Sequence, residues 1–365
     1  DSDGEFISGD YTYFVSAKND SGNENITETR TITLGENPLI DFINPTPDDA
    51  DSQIETNVEI NVSITEANLD EVIYNWNGTN FTMYNNSLIG MWNFDNRSVL
   101  GENDTYMVDM SGNGNNGTAI GNPTMSLTGG KYGGAFESDG DGDYINLPNL
   151  DETAVGTISV WIKPALTINN AANINAGLIL TGAAAGGSTI MRWYDAEGNG
   201  ALDYFIYDGI GAGWHLARST TTTWNANSWY YITATWDGSA HRLYVNGLLE
   251  STGNAGTPTT SGDNWMVGRS AYGGTHYEFN GSIDEVRVWD RTLSVDEIYQ
   301  QYVSNLKKID SDSWELYVNQ SKNVTDVLTN GTYTYFTTVT DIGSNSNLTE
   351  TRTITIGSDT TPPLI

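Results

Sequence analysis

The sequence predicts an all-β protein, and two kinds of pattern support this fold class. Apolar and polar residues alternate over short runs such as residues 58–65, which is the period-2 pattern of a half-buried strand. Turn residues separate these runs: the chain has 39 Gly, and Asn77-Gly78 between two strand-like runs is a strong hairpin signal. One short amphipathic helix is expected after Ser294, which forms the pattern of a capping box with Glu297.

A duplicated segment indicates the domain organisation. Residues 9–35 and 331–357 are similar at a constant offset of 322 positions, and the residues after each copy, 37–40 and 362–365, also agree. Two copies of one element at a fixed offset are typical of a tandem array. We therefore interpret the chain as a section of a repetitive protein.

The expected domain boundaries follow from this repeat. Residues 37–86 and 311–357 together have about 100 residues, which is the size of one immunoglobulin-like sandwich. Residues 87–310 have their own strands and Gly-rich turns, so we expect an inserted domain there. Residues 1–36 would then be the C-terminal strands of a preceding sandwich, and residues 358–365 would begin the next repeat.

The composition limits the classes of partner. The formal net charge is −32, with 47 Asp and Glu against 15 Lys and Arg, so the chain would repel nucleic acid. The acidity fits a solvated surface or a saline environment. There is no Cys, which excludes a disulfide framework and thiol chemistry. No apolar run reaches the roughly 18 residues that a membrane-spanning helix needs.

Asn-x-Ser/Thr sequons predict an extracellular glycoprotein. Their placement is uneven, because residues 117–279 contain none. Glycans on the sandwich and a largely bare inserted domain would produce this distribution. The predicted glycosylation sites are Asn19, Asn25, Asn61, Asn77, Asn80, Asn85, Asn96, Asn103, Asn116, Asn280, Asn319, Asn323, Asn330 and Asn347.

Three segments of the inserted domain carry a family resemblance. Residues 157–164, 229–247 and 281–298 resemble successive strands of the laminin G-like, concanavalin A-like jelly rolls, and the ordered match covers residues 87–306. The flanking sandwich resembles the immunoglobulin-like repeats of large archaeal surface proteins, most clearly at residues 71–80. The resemblance implies a two-sheet jelly roll inserted into an immunoglobulin-like sandwich.

The resemblance also implies a structural calcium ion. In the jelly-roll family such an ion often connects early segments to the last strand, and the matching residues here are Asp95, Asp109, Asn113 and Asp284. Hard oxygen ligands from distant segments suit Ca²⁺. The alternative is that Asp109 and Asn113 cap a tight Gly turn while Asp284 bonds to the backbone.

The jelly-roll superfamily includes lectins, glycan hydrolases and spacer domains, so the fold alone does not choose a function. A lectin site needs aromatic rings with polar neighbours at the surface. The candidate ligand-binding residues on expected loops of the inserted domain are Trp193, Tyr194, Trp214 and Tyr272. Most of the other Trp and Tyr residues are expected in cores and interfaces.

The sequence predicts no catalytic site. The Glu-x-Asp-x-x-Glu strand of the related glucanases does not occur, and Asp284 and Glu285 are adjacent, so they should point to opposite faces of a strand. The three histidines, His215, His241 and His276, have no Ser or Cys motif beside them. We therefore predict that the protein is not an enzyme.

Together these observations predict a structural and adhesive repeat unit of a glycosylated extracellular fibre, stalk or surface-layer protein, from an archaeon. Its expected partners are neighbouring copies or repeats of the same protein, arranged head to tail. The alternative is a carbohydrate-binding, lectin-like adhesin module, and an unrecognised glycan hydrolase comes third.

Overall fold

The structure is a computed structural model. It describes residues 9–34, 36–150, 153–169, 175–181, 188–194, 199–207, 213–254, 256, 258, 263–272 and 275–357. Of residues 9–11, 31–34, 188, 271, 272 and 275 it describes the backbone alone. The described chain is all-β, as the sequence predicts, apart from two short helical segments, of which the sequence predicts only the one after Ser294.

The first described strands form two short antiparallel ladders. They are β1 (Gly9–Tyr13), β2 (Ser16–Lys18), β3 (Glu24–Ile26) and β4 (Arg30–Leu34). Strand β1 pairs with β4, and β2 pairs with β3. The side chains of residues 12–30 are all exposed, so this segment forms a pair of ladders without an apolar core of its own.

The next five strands begin the first large unit. They are β5 (Leu39–Ile43), β6 (Asp51–Gln53), β7 (Val58–Thr65), β8 (Leu69–Trp76) and β9 (Thr79–Tyr84). Strands β8 and β9 form the predicted hairpin, in which Asn77 and Gly78 have φ angles of 49° and 84°. Both angles lie in the left-handed region that an Asn-Gly turn supplies at low cost.

Residues 88–303 contain the inserted strands and both helical segments. The helices are a 3₁₀ turn at Ser98–Leu100 and α1 (Val295–Val303), which begins with the predicted capping box of Ser294 and Glu297. The strands are β10 (Leu88–Trp92), β11 (Tyr106–Met107), β12 (Gly117–Ile120), β13 (Thr124–Ser126), β14 (Ala135–Asp139), β15 (Tyr144–Leu147), β16 (Gly156–Pro164), β17 (Ala176–Thr181), β18 (Ser188–Trp193), β19 (Leu202–Tyr207), β20 (Trp214–Arg218), β21 (Tyr230–Trp236), β22 (His241–Val245), β23 (Leu248–Gly253), β24 (Trp265–Val267), β25 (Arg269–Tyr272), β26 (Thr275–Glu278) and β27 (Asn280–Trp289).

The inserted strands form two large antiparallel sheets that enclose one core. One sheet has the order β13-β14-β27-β16-β21-β22-β23 with β10 also beside β27, and the other has the order β11-β12-β15-β24-β17-β18-β19-β20. Buried residues of both sheets, including Phe136, Ile158 and Trp236 from the first and Trp193 and Tyr204 from the second, belong to one cluster. Two sheets facing each other across a continuous core are the architecture of a jelly roll.

The last strands complete the first unit. They are β28 (Ser304–Lys308), β29 (Ser313–Gln320), β30 (Gly331–Asp341), β31 (Ser346–Leu348) and β32 (Arg352–Ile356). One sheet has the order β28-β29-β7-β5, and the other has the order β6-β32-β30-β8-β9 with β31 beside β30. This strand order is compatible with the expected immunoglobulin-like sandwich, with the insertion between β9 and β28.

The sandwich core lies between these two sheets. Ile64 of β7 and Val318 of β29 belong to the same buried cluster as Tyr74 of β8. At one corner the Tyr333 hydroxyl donates to the Thr329 carbonyl oxygen at 2.9 Å, which is the bond expected of a tyrosine corner.

The strand that follows α1 pairs within the sandwich. Strand β28 pairs with β29 from Ser304 opposite Val318 to Lys308 opposite Trp314, and Leu306 is buried in the sandwich core. By hydrogen bonding the insertion therefore ends with α1, whereas the sequence places the boundary after residue 310. The difference arises because β28 has its partner in a strand outside the jelly-roll motif.

The insertion packs tightly against the sandwich. Leu88, Met91, Met110, Leu293 and Ile298, all from the inserted part of the chain, are buried in the same cluster as the sandwich core. Burial of apolar side chains is the main favourable contribution to such contacts. The two units therefore share one apolar joint.

Candidate functional site

The outer surface of the jelly roll at one sheet edge combines aromatic and charged side chains. Side chains alternate across a strand, so Leu202, Tyr204 and Ile206 of β19 face the core while Asp203, Phe205 and Tyr207 face outward. We call the outward-facing group the outer face; its described residues are Arg192 and Tyr194 from β18 and its end, Asp203, Phe205 and Tyr207 from β19, and Trp214 and Arg218 from β20.

Trp214 is the most accessible ring in this group. Its side chain is 43% exposed at the edge strand of the sheet. The ring centre lies 4.8 Å from that of Tyr207, which is its cross-strand partner, and 5.6 Å from that of Phe205. The three rings therefore support one another, and Trp214 stays partly accessible to solvent.

A guanidinium group extends the aromatic surface. The Arg192 guanidinium carbon lies 5.2 Å from the centre of the Phe205 ring and 4.7 Å from the centre of the Tyr194 ring. Arginine stacked on aromatic rings keeps its N–H edge in a fixed plane. Because Arg192 is only 5% exposed, its guanidinium holds the Phe205 and Tyr194 rings in place and is itself buried.

An ion pair fixes the polar end of the outer face. Arg218 donates from Nε to Asp203 Oδ1 at 2.6 Å and from Nη2 to Asp203 Oδ2 at 3.1 Å. This bidentate geometry holds both planar groups in one orientation, and the Asp203 side chain is buried beneath the guanidinium. The arrangement is rigid on a rigid sheet, as a preorganised binding surface requires.

Two of the four residues that the sequence suggested for ligand binding meet on this surface. Tyr194 and Trp214 both belong to the outer face. Trp193 does not, because its side chain is only 1% exposed and packs against Trp224 and Phe279 in the core. The side chain of Tyr272 lies outside the described residues.

Strand alternation explains the error at Trp193. The residue shares the core-facing phase of Met191, so its neighbour Tyr194 faces outward. Phe205 and Tyr207 were missed, although their alternation with Tyr204 and Ile206 was a usable signal. The outer face also includes Arg192, Asp203 and Arg218. Sequence alone could not place these residues there, because their neighbours are set by cross-strand register.

The four candidate calcium ligands fall into two separate groups. Asp95 and Asp284 approach the same loop: Asp95 Oδ1 accepts from the Gly134 backbone N–H, and Asp284 Oδ2 accepts from those of Lys131 and Tyr132. These oxygens accept hydrogen bonds from backbone N–H groups. A bound cation would instead need them as ligands.

Asp109 and Asn113 stabilise a different loop. Asp109 Oδ1 accepts from the backbone N–H of Met91 and Ser111, and Oδ2 accepts from that of Asn115. Asn113 Nδ2 donates to the Leu88 carbonyl oxygen. This is the turn-capping alternative that the sequence left open.

The described chain contains no group of three or more His, Cys, Asp or Glu side chains arranged to hold a metal ion. The four candidate ligands thus form two sets, Asp95 with Asp284 and Asp109 with Asn113. The calcium ion stays a prediction, and melting temperatures with and without a chelator check it.

Of the adjacent carboxylates Asp284 and Glu285 of β27, Glu285 takes part in the domain joint. The pairing of β27 with β16 shifts register between Ser159–Arg287 and Trp161–Asp284. In this irregular stretch Glu285 has a φ of 51°, and its side chain accepts from Arg287, Asn93 and Asn305. Arg287 also donates to the Leu306 carbonyl oxygen, which links β27 to the sandwich strand β28.

Both carboxyl groups are affected by this burial. Burial raises the pKa of Glu285 to about 7, against the opposing effect of Arg287. Burial and the neighbouring Glu285 raise the pKa of Asp284. Glu285 serves the joint through its bond with Asn305, whereas Asp284 holds the loop at Lys131 and Tyr132.

The predicted glycosylation sites differ in accessibility. Eight of the sequon asparagines are exposed: Asn19, Asn25, Asn77, Asn80, Asn103, Asn280, Asn319 and Asn330. The others are half-buried: Asn61, Asn85, Asn96, Asn116, Asn323 and Asn347. The outer face lies within the segment that carries no sequon.

Comparison with known proteins bears on the inserted unit. Residues 139–299 match a laminin G-like family described as the concanavalin A-like lectin/glucanases superfamily. The inserted unit has the concanavalin A-like jelly-roll fold. The comparison with curated proteins found no match.

Several solved structures are similar to the chain. They include domain 4 of AbnA, an extracellular arabinanase from Geobacillus stearothermophilus in complex with arabinotriose (20% identity, TM-score 0.46, covering 58% of this chain and 96% of that one). The binding domain of Paraclostridial Mosquitocidal Protein 1 shares 17% identity with a TM-score of 0.46, covering 59% of this chain and 52% of that one. The ligand-binding domain of botulinum neurotoxin serotype D in complex with N-acetylneuraminic acid shares 18% identity with a TM-score of 0.44, covering 59% and 50%.

The chain spans most of the arabinanase domain and about half of the two toxin chains. Among the described residues, no helix has the length and apolar character of a membrane span.

Proposed function

We propose that the inserted jelly roll binds carbohydrate through the outer face, as the ligand-binding module of an extracellular adhesive protein. The observation that carries the proposal is the exposed Trp214 ring, supported by Tyr207 and Phe205 and lying on the same strand face as the partly exposed Arg218 guanidinium. Sugar rings have apolar C–H faces that pack on aromatic rings and hydroxyl groups that bond to fixed donors. The absence of sequons in this part of the sequence would keep the surface clear of the protein's own glycans.

A glycan array with the full chain tests this function. The first probes are arabinan-type and sialylated oligosaccharides, since these are the ligands named for two of the similar structures. We expect Trp214→Ala to weaken binding of any glycan that the wild type captures by about 10-fold or more, which corresponds to about 1.4 kcal/mol. Unchanged binding by this variant would place the glycan elsewhere.

Tyr106→Ala supplies the matched control for this test. Tyr106 is 40% exposed and lies on β11, at the opposite edge of the same sheet from Trp214. Its replacement removes an exposed ring of similar accessibility without touching the outer face. We expect its glycan binding to equal that of the wild type.

We also propose that the module is not catalytic. Glycoside hydrolysis usually needs two carboxyl groups about 5 to 10 Å apart across the scissile bond. On the outer face Asp203 is engaged by Arg218, which supports binding without cleavage. Mass spectrometry of a captured oligosaccharide after long incubation checks the prediction, and the appearance of shorter products would overturn it.

A structural role is the second candidate, and β1–β4 support it. We propose that these strands are the last strands of another immunoglobulin-like sandwich, completed either by a longer covalent chain or by a neighbouring subunit. Tyr13, Phe14 and Val15 are all more than half exposed, which is a substantial apolar surface to leave in water. A repeat unit of an extracellular fibre, stalk or surface layer, including an archaeal one, would use this contact to propagate head to tail.

Hydrogen exchange tests the structural role. A chain that carries a second copy of residues 37–330 ahead of residue 9, so that residues 9–34 take the place of residues 331–356 in that copy, should protect the amides of residues 9–34 as well as those of residues 331–356. Equal exchange in the single and double chains would argue against a completed sandwich. Sedimentation of the single chain at increasing concentration tests completion by a neighbouring subunit.

A further inference from the structure

A groove lies where the sandwich meets the jelly roll. Its volume is about 570 Å³. The β8–β9 hairpin forms one wall, and the turn from β22 to β23 together with the start of α1 forms the other. We call it the Asn77 groove, after the sequon residue at its rim.

Aromatic rings line the sandwich side of the Asn77 groove. The Trp76 and Tyr333 rings are stacked, with centres 5.3 Å apart and an interplanar angle of 14°. Tyr333 is held in place by its hydroxyl bond to the Thr329 carbonyl oxygen. Phe81 also lines the groove and is half-buried.

Aliphatic side chains line the jelly-roll side. Leu248 is 45% exposed, Leu249 is 49% exposed and Val295 is 55% exposed. All three border the groove. The described chain therefore leaves a concave apolar surface uncovered between two units, and such a surface is a candidate for a covering group.

Asn77 lies at the rim of this surface. It is exposed, occupies the turn of the β8–β9 hairpin, and is the acceptor of the sequon Asn77-Gly78-Thr79. Its neighbour Trp76 forms part of the groove floor. A group attached to the Asn77 side chain would begin at the border of the groove that the Trp76 and Tyr333 rings line.

We propose that an N-linked glycan on Asn77 occupies the groove and bridges the sandwich and the jelly roll. This inference rests on the proposed extracellular, glycosylated character of the protein. The first sugars would pack their apolar faces on Trp76, Phe81 and Tyr333, while Lys322 and Asp296 at the groove border offer partners for hydroxyl groups.

The modification is an ordinary glycosyl transfer. The Asn77 Nδ2 atom forms a bond to the anomeric carbon of an oligosaccharide carried on a lipid-linked phosphate donor. The bond between that carbon and the phosphate oxygen breaks, the lipid phosphate leaves with the electron pair, and the amide nitrogen gives up one proton. No other co-reactant is needed.

Asn80 provides a matched comparison on the same hairpin. It is also exposed and belongs to the sequon Asn80-Phe81-Thr82, but it does not border the groove. Strand alternation explains the difference, because Thr79 and Phe81 share the groove-facing side and Asn80 points the other way, opposite Asn75.

The experiment compares Asn77→Asp with Asn80→Asp in the full chain made by a glycosylating host. Aspartate keeps the turn, since Asp-Gly also suits the left-handed conformation, but it removes the glycan acceptor. Site-specific mass spectrometry should find Asn77 occupied in the wild type. Asn77→Asp should lower the melting temperature by about 2 to 4 °C, and Asn80→Asp should leave it within about 1 °C.

The same variants made in a host without glycosylation supply the second arm. There the wild type and Asn77→Asp should melt alike, because neither carries the glycan. The inference is overturned if Asn77 is unoccupied, or if its occupied form melts at the temperature of the Asn77→Asp protein. Carbohydrate binding by the outer face is measured independently with Trp214→Ala, so either result is obtained without the other.

Discussion

Residues 9–34 and residues 331–356 have nearly the same sequence and very different surroundings. Both segments form the same ladders: Gly9 pairs with Leu34 and Tyr13 with Arg30 in the first, while Gly331 pairs with Ile356 and Tyr335 with Arg352 in the second. Every pair is displaced by the same 322 positions that relate the two sequences.

The bonds inside each segment are also equivalent. The Val15 backbone N–H donates to Thr27 Oγ1 at 2.9 Å, and the Thr337 N–H donates to Thr349 Oγ1 at 3.0 Å. At the turn Asn19 Oδ1 accepts from the Asn23 backbone N–H, as Asp341 Oδ1 does from that of Asn345. Register and turn are therefore encoded within the segment itself.

Burial is where the two segments differ. Tyr13 is 53% exposed, whereas its equivalent Tyr335 is fully buried, with its ring against Phe42 and Trp76. The Tyr335 hydroxyl donates to the Pro47 carbonyl oxygen at 2.8 Å. Strands β5 to β9 thus supply the environment that converts a locally paired segment into part of a core.

The largest expected effect comes from removing the equivalent tyrosines. Tyr335→Ala should lower the free energy of unfolding by about 3 to 5 kcal/mol, because it leaves a cavity in a well-packed core. Tyr13→Ala should change it by about 0.5 kcal/mol or less, as for most exposed positions. Urea denaturation of both variants checks the pair, and a similar loss from Tyr13→Ala would mean that its ring is covered in solution.

The sequence predicted more of the fold than of the site. The jelly roll could be predicted because its strand segments, such as residues 281–298, carry a recognisable order, and the repeat because residues 9–35 and 331–357 agree. The position of β28 could not, since its pairing with β29 is decided by three-dimensional proximity. The same limit applies to the outer face, where Tyr207 and Trp214 meet through cross-strand register.

The side-chain alternation of one strand, β18, determines which of two adjacent aromatic residues faces outward. Trp193 and Tyr194 are adjacent, and only the alternation of β18 determines that the first is in the core and the second is outside. Among the calcium candidates the sequence offered two roles for Asp109. The structure shows Asp109 accepting from the backbone N–H groups of Ser111 and Asn115, bonds that depend on the loop conformation.

The equivalent arginines should show a smaller difference than the tyrosines. Arg352 donates to the Pro47 carbonyl oxygen and stacks over the Phe42 ring, whereas Arg30 is exposed and bonds to Glu28. Arg352→Ala should cost about 1 to 2 kcal/mol of unfolding free energy, since it removes a charged hydrogen bond and a cation–π contact.

Arg30→Ala is the control for this pair and should cost about 0.5 kcal/mol or less, because exposed ion pairs contribute little. Both variants keep the strand register, so circular dichroism should be unchanged. Equal costs at the two positions, measured by urea denaturation, would show that the Pro47 and Phe42 contacts do not stabilise the sandwich.

The smallest effect is expected at the hairpin turn, where the two segments carry different residues in the same conformation. Gly22 has a φ of 86° and the equivalent Ser344 has a φ of 66°. A residue with a Cβ atom is destabilised by about 1 kcal/mol or more in this left-handed region. Replacing it with glycine removes this strain but also raises the conformational entropy of the unfolded chain, which offsets part of the stabilisation. Ser344→Gly should therefore raise the free energy of unfolding by about 0.5 kcal/mol.

Gly22→Ser introduces the opposite strain. Because the residues around Gly22 are exposed, this strain should open the local turn without shifting the unfolding midpoint of the sandwich. Hydrogen exchange at the Asn23 amide, together with the denaturation midpoint, separates these outcomes: a shifted midpoint for Gly22→Ser would show that residues 9–34 are coupled to the core.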